Sequence, residues 1–269
     1  MMTAGVNTGP APPNEIQDYI LDLLQDSKPT LKACALVCRA WVPRSRYHLF
    51  SNITLQGRSA RVFEVLLKNP NCTIQSCVHL AAYLRDTSET MNVANILQCL
   101  SPSSFDIRYW SNGNRQAFAT FPPFPSIKRL EVGTGCFGDL AELFVTFPNL
   151  RELYMNYSSP GPPQVNHCCS DIFIRPSQLR SLEFTSCEMD PLLRWFIEKR
   201  IVPTNLLSID DLAGDEAFIV GEYFSMFGDV LQEVRMGFVS DEAEVLCKYE
   251  QLYPVFCINT RSLSISKIL

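Results

Sequence analysis

The chain is poor in the residues that carry most enzymatic chemistry. It has only three histidines, His48, His79 and His167, so a thiol or hydroxyl nucleophile has few bases to draw on. His167 adjoins Cys168 and Cys169, but adjacency in sequence does not supply triad geometry, and no third orienting group accompanies them. No C-x-x-C pair occurs, and Cys34-x-x-x-Cys38 falls on a helical apolar stripe, so no zinc site is expected. The glycines Gly133, Gly135 and Gly138 lack the acidic residue and doubly wound context of a dinucleotide turn; they read as a turn after a strand. The acidic run Asp210, Asp211, Asp215, Glu216 lacks the alternating oxygens and central glycine of a calcium loop, and reads as a solvated loop leading into a helix. The expectation is a protein that is not an enzyme and holds no cofactor or metal.

An excess of basic charge is also missing. Lys and Arg number 23 against 28 Asp and Glu, a formal net charge of -5, which argues against a nucleic-acid partner. A small basic group, Arg39, Arg44, Arg46 and His48, reads as a solvated helix face. No stretch approaches the roughly 20 apolar residues needed to span a bilayer, so no membrane partner is expected. Residues 1–11, MMTAGVNTGPA, have neither the basic start nor the apolar run of a secretory leader and read as a disordered tail. The eleven cysteines are odd in number and scattered among apolar neighbours, which suits reduced core thiols in a cytoplasmic or nuclear protein.

What is present is a globular composition, 46% hydrophobic and 19% charged, with length for one or two domains. The stretch Pro12 to Leu55 organises the rest. Ile16, Tyr19, Ile20, Leu23 and Leu24 recur at steps of three and four, an apolar stripe on a first helix, with Glu15, Asp18 and Asp22 off it. Ser27 and Pro29 signal the start of a second helix carrying Leu31, Cys34, Ala35, Val37, Cys38 and Trp41 at the same spacing, and a short third helix runs from Trp41 to about His48. Three short helices cannot enclose all these apolar side chains, so some must meet another surface.

The pattern P-x-E-I-x-x-x-I-x-x-x-L, a polar turn, then L-x-x-C-x-x-V-C-x-x-W resembles the F-box, the adaptor-binding module of SCF-type ubiquitin ligases. The continuation R-S-R-Y-H-L-F-x-x-I-T-L resembles the F-box-like proteins of fungi. Pro12 stands where the family usually has Leu, a change that would weaken adaptor binding if that Leu docks. The resemblance implies adaptor contact by Pro13, Ile16, Ile20, Leu24, Leu31, Leu36, Val37 and Trp41, with some of these packing inside the module instead.

The remainder is repetitive. FPSIKRLEV at 124–132, FPNLRELYM at 147–155 and RPSQLRSLEF at 175–184 each read P-x-Φ-x-x-Φ-x-Φ, and Leu179, Leu182, Phe184 and Cys187 complete the leucine-rich-repeat template. Weaker copies place equivalent positions at Ile53, Val78, Phe105, Leu130, Leu153, Leu182, Ile209, Val234 and Leu263, those at Phe105 and Ile209 being loose in register. Return helices are expected over 58–67, 90–100, 140–147, 191–198, 215–227 and 241–253, the first through Val62, Phe63, Val65 and Leu66. A Pro-, Ser- and Gly-containing insertion lies between Leu153 and Leu182, and the apolar end RSLSISKIL implies an incomplete or partner-covered terminus.

The fold expected is therefore α/β: a tail (1–11), a three-helix F-box-like module (12–50) and a leucine-rich-repeat-like solenoid with a curved parallel sheet (51–269). Arg129, Glu131, Glu152, Tyr154, Glu183, Glu233 and Arg235 fall on strand positions pointing away from the core and are the candidate target-binding residues. The resemblance implies a substrate-recognition subunit that binds the SCF adaptor, through it a cullin, and an unknown target protein. The alternative is a leucine-rich-repeat scaffold without a ligase role, its helices merely capping the repeats.

Overall fold

The computed structural model describes residues 13–72, 74, 77–109, 112–133, 140–156, 178–187, 189–212, 216–227, 229–238 and 262–267. Three helices come first: α1 (Asn14–Leu23), α2 (Lys28–Val37) and α3 (Val42–Phe50). Strands and helices follow in order: β1 (Asn52–Gln56), α4 (Arg58–Leu67), β2 (His79–Tyr83), α5 (Thr87–Leu100), β3 (Ser104–Ile107), α6 (Asn112–Phe118), β4 (Arg129–Gly133), α7 (Leu140–Thr146) and β5 (Glu152–Asn156). The rest are β6 (Ser181–Thr185), α8 (Met189–Lys199), β7 (Leu206–Leu212), α9 (Ala217–Phe227), β8 (Glu233–Phe238) and β9 (Ser262–Lys267).

The nine strands form one sheet in sequence order, every neighbouring pair parallel. Parallel neighbours need a crossover; helices supply it from β1 to β5 and from β6 to β8, and the segments joining β5 to β6 and β8 to β9 lie largely outside the described residues. One register line runs Ile53, Leu80, Phe105, Leu130, Leu153, Leu182, Leu207, Val234, Leu263. From Ile53 to Val234 all of these side chains are buried, as are those two positions further on, Leu55 through Met236. Strand alternation thus sends two apolar rows into one core.

The register departs from the expected one at two units. Leu80, not Val78, aligns with Ile53, and Leu207, not Ile209, aligns with Leu182, whereas Phe105 sits in line. Both slips are of two residues, which keeps the same face inward and leaves the apolar pattern almost unchanged.

Between sheet and helices lies an aromatic cluster, Phe105, Phe118, Phe124 and Phe147, with ring centroids 6.0 to 6.3 Å apart. Further along, Phe184 and Phe196 meet at 5.9 Å, and Tyr223 is fully buried with its hydroxyl donating to the Ile201 carbonyl at 3.0 Å. Edge-on and tilted pairs of this kind add roughly 0.5–1.5 kcal/mol each to what area burial gives.

Helix bounds follow local chemistry. α4 spans the residues expected of it, while α5 starts three residues earlier than expected because Asp86 caps it, accepting from the Glu89 amide at 2.8 Å. Helix α6 was not foreseen; the stretch over 241–253 lies outside the described residues. The expected packing of α4 is partly reversed: Val62, Val65 and Leu66 are exposed, and Phe63 is half-buried against the core. Its inward side carries Ala60 and Glu64, the carboxylate accepting from Lys68 Nζ at 2.6 Å and Asn95 Nδ2 at 2.8 Å. That partner on α5 is what lets a charged residue face inward.

Candidate functional site

The three N-terminal helices pack through α3, which touches α1, α2 and strand β1. The inward side of α1 is Gln17 and Leu21, with Leu24 half-buried just beyond it. Gln17 Oε1 accepts from Trp41 Nε1 at 2.7 Å. Asp22 takes two hydrogen bonds from Arg44, the second from Nη2 at 2.7 Å, and lies 2.7 Å from His48 Nε2. Arg44 and His48 are therefore not a free basic face, as their sequence clustering implied; they clamp α3 to α1. The Arg44 guanidinium, then His48, hold the Asp22 carboxyl down to about 2.

With that side fixed, the stripe Ile16, Tyr19, Ile20 and Leu23 faces outward. Their spacing puts all four on one face of α1. At the end of α2, Val37 is exposed and Leu36 is 87% exposed. Among the expected adaptor residues, Pro13, Ile16, Ile20, Leu36 and Val37 are thus at the surface, and Leu24 and Trp41 are half-buried. Leu31 is a correction: at 0% exposure it is buried inside the module, on the helix that packs against α3, and is closed to any partner. Tyr19 and Leu23, which were not among those residues, share the stripe and are exposed with it.

The second surface is the sheet face opposite the core. Arg129, Glu131, Glu152, Tyr154, Glu183, Glu233 and Arg235 all lie there, exposed or half-buried, in two register rows. The guanidinium of Arg129 sits 4.0 Å from the centre of the Tyr154 ring and 3.7 Å from Glu152. Burial and the neighbouring Glu183 push the Tyr154 phenol up to about 12, so it stays protonated. Arg235 donates to Glu233 at 2.8 Å. Internal pairing of these charges leaves a mixed face without strong polarity.

The same rows bring together residues that sequence reading missed. Asp106 on β3 is 1% exposed and stands opposite Glu131. Arg108 Nε is 2.5 Å from Asp106 Oδ2, an ion pair that is the one partner shown for this buried carboxylate among the described residues. Burial first, then Glu131, push this carboxyl above its ordinary value against the pull of Arg108. Beside it, at the C-terminal ends of β2 and β3, a cavity of about 480 Å³ is lined by Tyr83, Arg85, Arg108 and Tyr109. The findable signal was D-x-x-E at Asp86 and Glu89: it ends the strand loop at Arg85, and parallel strands gather such loops at one end.

No cluster of three metal-ligating side chains exists among the described residues. His167, Cys168 and Cys169 and the insertion at 157–177 lie outside them. Cysteines 34, 38, 72, 77, 99 and 187 are free thiols, and burial pushes Cys77 up to about 11, away from reactivity. Asp210 and Asp211 belong to β7 rather than to a loop, and Glu216 accepts from the Met189 amide at 2.6 Å, at the start of α8. No helix among the described residues is long and apolar enough to cross a membrane.

No protein-family model matches the chain, and no curated protein matches it significantly.

Proposed function

We propose that this protein is a substrate-recognition subunit of an SCF-type ubiquitin ligase, its first three helices an F-box-like module that holds the adaptor and its repeats a leucine-rich-repeat-like solenoid that holds a target. The observation that carries the reading is the outward apolar stripe of α1, with Leu36 and Val37 beyond it on α2. A helical cap serving only the repeats would turn that stripe against β1, yet α3 makes that contact and leaves the stripe open. An apolar surface of this kind on a small module marks a protein interface. The chain itself performs no transfer; its part is proximity, raising the local concentration of a target lysine near a charged conjugating enzyme.

The test is capture by purified SCF adaptor, comparing wild type with an Ile20→Asp, Leu36→Asp double variant. Both residues are exposed, so the variant folds; in a buried interface each carboxylate would lack a partner, at a cost of several kcal/mol. Capture of wild type and loss in the variant is the expected result. A folded wild type that the adaptor ignores would overturn the reading and leave an interaction scaffold.

A further inference from the structure

The open pocket at the C-terminal ends of β2 and β3 is bordered by loops that hydrogen bonds tie down. The Arg85 amide donates to Glu89 Oε2 at 2.8 Å, while Asp86 caps the same helix, so the loop bearing Arg85 is tied down at both residues. Beneath, the buried Asn114 donates to the carbonyls of Leu84 at 2.9 Å and Tyr109 at 3.2 Å, and accepts from Thr90 at 3.0 Å. The two loops that form the cavity walls are thereby stapled to one side chain. Gly133 on β4 closes in on the same place: a Cβ there would stand 3.3 Å from the Arg108 carbonyl.

Arg85 has no ion pair or side-chain hydrogen bond among the described residues. Arg108 uses Nε toward Asp106, leaving its two terminal nitrogens directed at no protein acceptor there. Carboxylates stand close to both guanidinium groups, Asp106 and Glu131 beside Arg108 and Asp86 and Glu89 on the loop of Arg85, so the site disfavours a multiply charged anion such as phosphate and suits at most a single carboxylate. Planar guanidinium forks match a carboxylate in shape, and the half-exposed rings of Tyr83 and Tyr109 offer flat walls for a neighbouring backbone or side chain.

We propose that this cavity binds a carboxylate of an extended peptide segment of the target protein, gripped between Arg85 and Arg108 and flanked by Tyr83 and Tyr109. The inference rests on the target-binding role proposed above. The carboxylate comes from a chain terminus or from an Asp or Glu side chain, and the experiment separates these sources.

Three peptides are titrated into the full chain by ligand-observed NMR: acetyl-Gly-Gly-Phe with a free carboxylate, its C-terminal amide, and acetyl-Gly-Glu-Gly amide. At least one carboxylate peptide binds ten-fold or more tightly than the Gly-Gly-Phe amide; the free-terminus peptide identifies a terminal carboxylate and the Glu peptide a side chain. Arg85→Gln weakens that binding ten-fold without altering the fold, since its side chain holds nothing else among the described residues. Arg108→Gln does the same, and Arg85→Gln decides the matter should loss of the Asp106 contact unfold the latter. Equal binding of acid and amide, no binding of either acid at millimolar concentration, indifference to Arg85→Gln, or tighter binding of inorganic phosphate would each overturn the proposal. Adaptor capture is read separately: a failed carboxylate site with intact capture spares the receptor reading, and the reverse leaves a peptide-binding protein with no ligase role.

Discussion

Two leucines on one helix, five residues apart, give the sharpest test of how the N-terminal module is built. Leu31 is 0% exposed and Leu36 is 87% exposed, yet the sequence names both as adaptor candidates and does not say which of them packs inside the module instead. Truncating Leu31 to alanine removes a fully enclosed side chain and leaves a cavity inside the module, where α2 packs on α3, at a cost of about 2–5 kcal/mol. Truncating Leu36 removes atoms already in water and changes stability by about 0.5 kcal/mol or less. Amide exchange followed by mass spectrometry over residues 14–50 reads the module alone, apart from the sheet. At about 1.4 kcal/mol per decade, Leu31→Ala speeds exchange of α1 to α3 by roughly 30-fold or more, and Leu36→Ala leaves it unchanged. Adaptor capture reverses the order: Leu36→Ala weakens it, and Leu31→Ala weakens it only as far as the module unfolds. Equal acceleration by the two variants would refute the inward and outward assignment of α2.

The clamp of α1 onto α3 is pH-dependent with a defined sign. Asp22 is held at about 2 against an ordinary 3.8, so its contribution is complete above the ordinary value and is lost as pH falls from about 4 to about 2. Asp22→Asn therefore loosens α1 near neutral pH, and its difference from wild type in exchange, corrected for intrinsic rate, vanishes near pH 2; a difference independent of pH would count against the clamp. Tyr223→Phe deprives the Ile201 carbonyl of its donor and costs about 1–3 kcal/mol, seen as a lower thermal midpoint; unaltered stability would show that the bond contributes nothing.

The strand rhythm from Ile53 to Leu263 was legible because burial on one sheet face imposes a period of two that few sequences can hide. The copies FPSIKRLEV, FPNLRELYM and RPSQLRSLEF mark β4, β5 and β6 directly. Register at Leu80 and Leu207 was not legible, since a two-residue shift preserves the inward face and leaves composition nearly unchanged. The residues of α1 likewise announced an apolar stripe but not its direction. Direction depends on what else α1 can bury, and Gln17 with Trp41, then Asp22 with Arg44 and His48, satisfied the other side.

The amino-acid sequence alone determined that the chain alternates short strands with helices, that an apolar stripe precedes them, and that the outward strand positions carry mixed charge. These are local matters of period and composition. Only the tertiary structure decided that Leu31 lies inside while Leu36 lies outside, that Asp106 is buried beside Glu131, and that Arg85 and Arg108 meet at one cavity. Arg85 and Arg108 are more than 20 residues apart in sequence. They become neighbours because parallel pairing stacks successive strand ends in space, a relation no window of sequence contains.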